Sequence, residues 1–247
     1  MKAFILAAGL GTRLGSYTFD KPKALVDLNG TTLLERAIRK VNELDVSEIV
    51  VNVHHFGSQI IEFLKNKENF HLPVIVSDER DQLLDTGGAI LKAHSLLGDH
   101  EPFLIYNVDV ISTIDLKAFS FYHTKKGGLA TLAVRVRATD RNMVFDPEMK
   151  LSGWRNIKTG EEKLVRNNTH LKNYAFSGIQ IVEPEIFSLI TETDKFSIIQ
   201  LYLRLAQSQN IYGYHDQSDL WMDLGKPEQL AAAEKIIGKL GNVKIGK

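Results

Sequence analysis

The order of strand-like and helix-like segments over residues 2–107 is the strongest constraint on what this chain can fold into. Lys2–Ala7 and Glu48–Val53 are apolar runs of strand length. Between them, Thr32–Leu44 carries Leu33, Leu34, Ala37, Ile38, Val41 and Leu44 at helical spacing, with Thr31 or Thr32 placed to cap it. Gly57–Lys67 repeats the pattern through Ile60, Ile61 and Leu64. Val74–Ser77 reads as a short strand, Gly88–Leu97 as a helix and Phe103–Asn107 as a strand. Strand and helix alternating at this interval predict a parallel sheet with helices on both faces. Ligands of such sheets bind at the carboxyl ends of the strands, which directs attention to Ala8 onward, Asp78 onward and Asn107 onward.

The second half is less regular. Ala130–Val136, Tyr174–Val182, Ile211–His215 and Leu220–Met222 read as strands. Pro184–Ile190, Ser197–Gln207 and Pro227–Leu240 read as helices, the last with proline in its first turn. Arg137–His170 is rich in loop and hairpin signals. The expectation is one α/β domain over 1–247, a three-layer sandwich around a mixed, mostly parallel sheet. An irregular, lid-like insertion is expected around 137–170, and a frayed tail at Gly241–Lys247.

Composition removes several classes of function. Thirty Lys and Arg balance thirty Asp and Glu, so no basic excess favours nucleic acid or an anionic membrane. There is no cysteine, which excludes disulfides, thiolate catalysis and cysteine-ligated zinc and fits a reducing cytoplasm. No apolar run approaches the roughly 20 residues of a membrane span. The apolar stretch Ala3–Ala8 is also shorter than the roughly 7–15 residues of a secretory core. A cytoplasmic chain is expected, with neither nucleic-acid nor membrane partners.

The most informative motif is Leu6-Ala7-Ala8-Gly9-Leu10-Gly11-Thr12-Arg13-Leu14. A strand ends in small residues, and two glycines bracket a turn whose backbone N–H groups can face an anion. A dinucleotide fingerprint would place a third glycine where Leu14 stands, and no Gly-Lys-Ser/Thr P-loop occurs. Arg13 and Lys23 supply a planar donor array and a point charge, a pairing suited to a polyphosphate. Taken alone, a strand-ending turn with solvated charges is an equal reading.

Gly9-Leu10-Gly11-Thr12-Arg13-Leu14 followed by Lys21-Pro22-Lys23-Ala24-Leu25 resembles the signature of the sugar-1-phosphate nucleotidylyltransferases. Asp85-Thr86-Gly87-Gly88-Ala89, Asn107-Val108-Asp109, Phe176-Ser177-Gly178-Ile179 and Trp221-Met222-Asp223-Leu224-Gly225 continue it in order along nearly the whole chain. Size and the Asp-Thr-Gly-Gly block are most similar to the short N-acetylmuramate-1-phosphate uridylyltransferases of cell-wall recycling. The resemblance implies the nucleotide-diphospho-sugar transferase variant of the Rossmann fold. It implies that a sugar 1-phosphate attacks the α-phosphorus of a nucleoside triphosphate, UTP first among them, and that pyrophosphate leaves. Asp109 and Asp223 match magnesium ligands, and Arg13 and Lys23 match catalytic cations. Ala8, Gly9, Leu10, Gly11, Thr12, Arg13, Lys23, Asp85, Thr86 and Gly87 fall on nucleotide contacts. Asn107 and Gly178 fall on sugar contacts, although Gly178 reads equally as a strand bulge.

The chain departs from the family pattern in places. Gly15-Ser16 stands where proline is common, and Val108 where glycine often precedes the metal aspartate. The Glu-Lys-Pro motif whose lysine grips the sugar phosphate is missing, with Arg155, Lys158 and Lys163 as unassigned substitutes. Three rivals stay open: a mannose- or heptose-1-phosphate guanylyltransferase, a phosphocholine cytidylyltransferase of the same fold, and a non-catalytic nucleotide-sugar-binding regulator.

Overall fold

The computed structural model describes residues 1–98 and 100–240; the expected frayed tail lies outside them. Its strands are β1 Lys2–Leu6, β2 Asp27–Leu28, β3 Thr31–Thr32, β4 Ile49–Val53, β5 Val74–Asp78, β6 Phe103–Asn107, β7 Val110–Ser112 and β8 Ala130–Arg135. They continue with β9 Arg141–Phe145, β10 Leu151–Asn156, β11 Glu162–Leu164, β12 Lys172–Val182, β13 Ile211–His215 and β14 Trp221–Asp223. The helices are α1 Leu33–Val41, α2 Gly57–Asn66, α3 Asp85–Lys92, α4 His94–Leu97, α5 Leu116–Lys126, α6 Ile186–Leu189, α7 Ile198–Leu205 and α8 Pro227–Leu240.

One 10-stranded sheet runs β11-β10-β9-β12-β6-β1-β4-β5, with β8 on β12 and β13 on β8. Strands β6, β1, β4 and β5 are parallel, and β12 joins β6 antiparallel. Alternation along each parallel strand divides the core. Ala3, Ile5, Val51, Leu104 and Tyr106 face a cluster that takes in Leu34 and Ile38 of α1, Ile60 of α2, Phe119 of α5 and Leu230 of α8. Phe4, Val50, Phe103 and Ile105 face the opposite cluster, with Ala89 of α3, Leu97 of α4 and Leu201 of α7. This is the expected layered α/β architecture, with a mixed sheet.

Two expectations are corrected. The 137–170 segment is no irregular lid: β9, β10 and β11 extend the main sheet antiparallel, and Met143, Phe145 and Leu151 are buried in its core. The predicted helix Gly88–Leu97 starts earlier, at Asp85, and is interrupted at Ala93. At α1 the expected cap is present, with Thr32 accepting from the Glu35 N–H at 3.2 Å.

Candidate active site

The carboxyl ends of β1, β5 and β6 open into one cavity of about 440 Å³. Ala8, Gly9, Leu10, Gly11, Thr12, Arg13, Lys23, Asp85, Thr86, Asn107 and Asp109 all line it. Residues from four stretches of sequence therefore meet where the strand order predicts.

The glycine loop is held from beneath by a polar strut. Asn52, buried in β4, accepts from the Ala7 and Ala8 N–H groups at 2.6 and 3.2 Å. Its own amide donates to Glu79 Oε1 at 2.8 Å. The Ala8 N–H is thus committed to the protein, and the row of free amides starts at Gly9. The N–H groups of Gly9, Leu10, Gly11 and Thr12 have no acceptor among the described residues. Gly11 adopts φ +66°, the left-handed region where glycine is favoured, and a Cβ there would sit 3.1 Å from both Lys23 Cβ and Thr18 Cγ2. Gly9 has open space around it.

Distant aspartates are joined by a two-stranded ribbon. Strand β14 pairs antiparallel with β7 in the register Asp223↔Val110, and the Leu224 N–H donates to the Asp109 carbonyl at 2.9 Å. Lys23, nearly fully buried, donates to Asp109 Oδ2. Asp223 Oδ1 is buried with no hydrogen-bond donor. Burial, and then repulsion from Asp109, raise the Asp223 pKa, offset in part by Lys23 and Arg13. Gly225 keeps this corner open, since a Cβ there would lie 2.9 Å from Arg13 Nη2 and 3.0 Å from Asp223 Oδ1.

A hard dication fits this donor set. Magnesium uses one or two carboxylates and completes its octahedron with water and substrate phosphates. Asp109 and the orphaned Asp223 oxygen offer that, and no group of three or more His, Cys, Asp or Glu placed to enclose a metal occurs among the described residues.

Other predicted residues take different positions. Asp85 opens α3 at φ +58°, its Oδ1 accepting from the Thr86 N–H at 2.6 Å. Thr86 Oγ1 accepts from the Ile198 N–H at 3.0 Å, tying α3 to α7. Gly87 is buried away from the cavity lining. Its N–H donates to the Phe196 carbonyl at 2.9 Å, and a Cβ would overlap the Phe196 ring. Gly87 therefore packs α3 against the α7 entry and has no free amide for a nucleotide. Gly178, at φ +75°, lies where β12 shifts register against β8, and a Cβ would meet Asn107 Nδ2 at 2.8 Å. The bulge reading holds, and the bulge admits the Asn107 amide. Of the proposed substitutes for the missing lysine, Arg155 is bound to Glu162 and Asn173 at 2.6 and 3.2 Å. Lys163 pairs with Glu161 at 3.4 Å, and Lys158 is exposed.

Sequence reading missed Asn52, Glu79 and Lys195, and gave Gly225 no role within its motif. Glu79 is 1% exposed, and burial pushes its carboxyl up to about 7, against the Asn52 hydrogen bond that favours the ion. The signal for Asn52 was a polar residue inside the buried run of β4, and Glu79 directly follows β5. Lys195 comes from the connection before α7 and carries no motif.

The Nucleotidyl transferase family model matches residues 2–239. The chain belongs to that family. This nucleotidyltransferase is 31% identical over 240 residues to an N-acetylmuramate alpha-1-phosphate uridylyltransferase of Caulobacter vibrioides, covering 94% of this chain and 95% of that enzyme. It is 29% identical to mannose-1-phosphate guanylyltransferase 1 of Arabidopsis thaliana, over 92% of this chain but 62% of that longer protein. The fold matches UDP-glucose pyrophosphorylase from Acinetobacter baumannii with a TM-score of 0.81, at 19% identity and 99% and 95% coverage. No helix among the described residues is long and apolar enough to cross a membrane.

Proposed function

We propose that the enzyme transfers a uridylyl group from UTP to the 1-phosphate of an N-acetylated amino sugar, with N-acetylmuramate 1-phosphate the leading acceptor. The observation that carries this reading is the 31% identity to a uridylyltransferase over 94% of this chain.

An acceptor phosphate oxygen attacks the α-phosphorus in line. The bond from that phosphorus to the α,β-bridging oxygen breaks, and pyrophosphate leaves with the electron pair. A phosphate monoester is largely ionised at pH 7, its second pKa being about 6, so no general base is required. The free amides of Gly9 to Thr12 cradle the triphosphate, and Arg13 offsets charge on the departing pyrophosphate. Lys23 supplies charge beside Asp109, where the α-phosphate becomes crowded. Asp109 and Asp223 would hold Mg²⁺, which when bound neutralises phosphate charge.

Guanylyl transfer is the second reading, carried by the 29% identity to a guanylyltransferase over 92% of this chain. A matrix of nucleoside triphosphates against sugar 1-phosphates, scored by pyrophosphate release, tests both. UTP with N-acetylmuramate 1-phosphate is expected to lead. Preference for GTP with mannose or heptose phosphate would overturn the substrate assignment and leave the transfer chemistry standing.

A further inference from the structure

Arg137 follows β8, and its guanidinium carbon lies 4.2 Å from the centre of the Trp221 ring. Its Nη2 donates to the Phe176 carbonyl at 3.2 Å, while Trp221 Nε1 donates to the Ser177 carbonyl at 2.9 Å. Strands β12 and β14 thus fix the cation between them, next to the Gly178 bulge. Trp221 and Asp223 alternate along β14 and share a face.

Its charge is not balanced within the protein. Arg135 pairs with Asp216 at 3.0 Å, Arg155 with Glu162 at 2.6 Å and Arg204 with Glu192 at 2.7 Å. Arg137 has no carboxylate at ion-pair distance among the described residues, and its Nε and Nη1 have no acceptor there. The residue is exposed, and the field of Asp223 reaches its guanidinium. A guanidinium held against a tryptophan ring, with no carboxylate of its own, is pre-positioned to take a ligand anion.

The position says which anion. Arg13, Lys23 and Lys195 already line the cavity around the glycine loop, and Arg137 does not. It stands beyond Asp223 on the Phe176–Gly178 side, where the sugar body rather than the triphosphate would lie. Trp221 underlies the guanidinium carbon and Nη2 is held by Phe176, which leaves Nε and Nη1 to meet an acid. We propose that Arg137 reads a carboxylate carried by the sugar acceptor, and so sets a preference for acidic sugar 1-phosphates over neutral ones. This rests on the acceptor being a sugar 1-phosphate. N-acetylmuramate differs from N-acetylglucosamine by a carboxylate-bearing ether, the group Arg137 would meet.

The test compares kcat/KM for two matched pairs: N-acetylmuramate against N-acetylglucosamine 1-phosphate, and glucuronate against glucose 1-phosphate. Wild type, Arg137→Gln and Arg137→Lys are assayed with thermal melts alongside. In wild type the acid of a pair should lead by about 10- to 100-fold, the scale of one charge-assisted hydrogen bond. Arg137→Gln should collapse that ratio to within about threefold through KM for the acid, and Arg137→Lys should restore part of it. An equal loss on acid and neutral acceptors would assign Arg137 to the shared phosphate and overturn the proposal. So would an unchanged ratio, with or without a lowered melting temperature, or a wild type with no acid preference in either pair. If neither amino sugar is used, the amino-sugar assignment fails while the uronate pair still decides the role of Arg137.

Discussion

Lys23 donates to Asp109 from a nearly buried position, so the cation placed to meet phosphate is also the partner of a carboxylate suited to metal. The two roles compete. Removing Lys23 frees Asp109 and takes away positive charge beside it. Lys23→Ala is therefore expected to bind Mg²⁺ more tightly without nucleotide while turnover falls by roughly two to four orders of magnitude. Calorimetric Mg²⁺ titration beside a pyrophosphate-release assay checks this. Weaker metal binding by the variant would show that Lys23 supports Asp109 rather than competing for it.

Asp223 carries a stability penalty of identifiable sign. Burial and Asp109 raise its folded-state pKa above the unfolded value. The penalty is present at neutral pH and is relieved as pH falls through the folded pKa. Asp223→Asn should consequently melt higher than wild type at pH 7.5 and lose that advantage towards acid pH. Turnover should drop by roughly two to four orders of magnitude. Asp109→Asn should lose turnover similarly but gain less stability, because Asp109 already has Lys23. A drop in the Asp223→Asn melting temperature at neutral pH would contradict this account.

Much of the site was legible because its chemistry sits at strand ends, where a parallel sheet exposes backbone and side chains together. The glycine loop and Asp109 sit at such ends, whereas Asp223 lies on the separate β7–β14 ribbon and came from the family resemblance. What was not legible has physical causes. Helix α5 went unread because buried Leu116, Phe119 and His123 share it with Phe121, which is 71% exposed, so no apolar stripe stands out. The meander β9–β11 looked irregular because Asn142, Asp146 and Ser152 are buried polar residues that break strand alternation. Asp146 accepts from the N–H groups of Glu148 and Lys150 at 2.9 and 2.8 Å, building the β9–β10 turn from a side chain. Arg137 opens the segment read as an insertion, and nothing in its sequence neighbourhood marks it as the cation that stacks on Trp221.

Glu79 should make stability depend on pH in a defined window. Its unfolded reference is 4.5 and its folded value about 7, so the native state holds the proton more tightly between them. Stability contributed by this group falls as pH rises through that window and is flat above it, by about 3 kcal/mol at most. Glu79→Gln keeps an acceptor for Asn52 and removes the titration. The variant should gain on wild type in melting temperature from pH 5 to pH 8. Parallel pH dependences of the two proteins would contradict this account.

The two loop glycines separate phosphate binding from fold maintenance, and they do so unequally. Gly11 is held at φ +66° with Lys23 and Thr18 tightly behind it, so any side chain there strains the backbone whether or not nucleotide binds. Gly9 lines the same cavity, a Cβ added to it would meet nothing within 4 Å, and its φ lies outside the left-handed region. Gly9→Val should therefore melt within about 0.5 kcal/mol of wild type, as a side chain entering open space does. It should nevertheless lose nucleotide affinity by at least about tenfold, because the branched side chain occupies volume that a triphosphate needs against the Gly9 to Thr12 amides. Gly11→Val should lose stability and affinity together. Titration with a non-hydrolysable triphosphate, paired with denaturant melts, distinguishes the two. Normal nucleotide binding by a fully folded Gly9→Val would mean that the triphosphate does not approach this backbone, and the loop would then serve the fold alone.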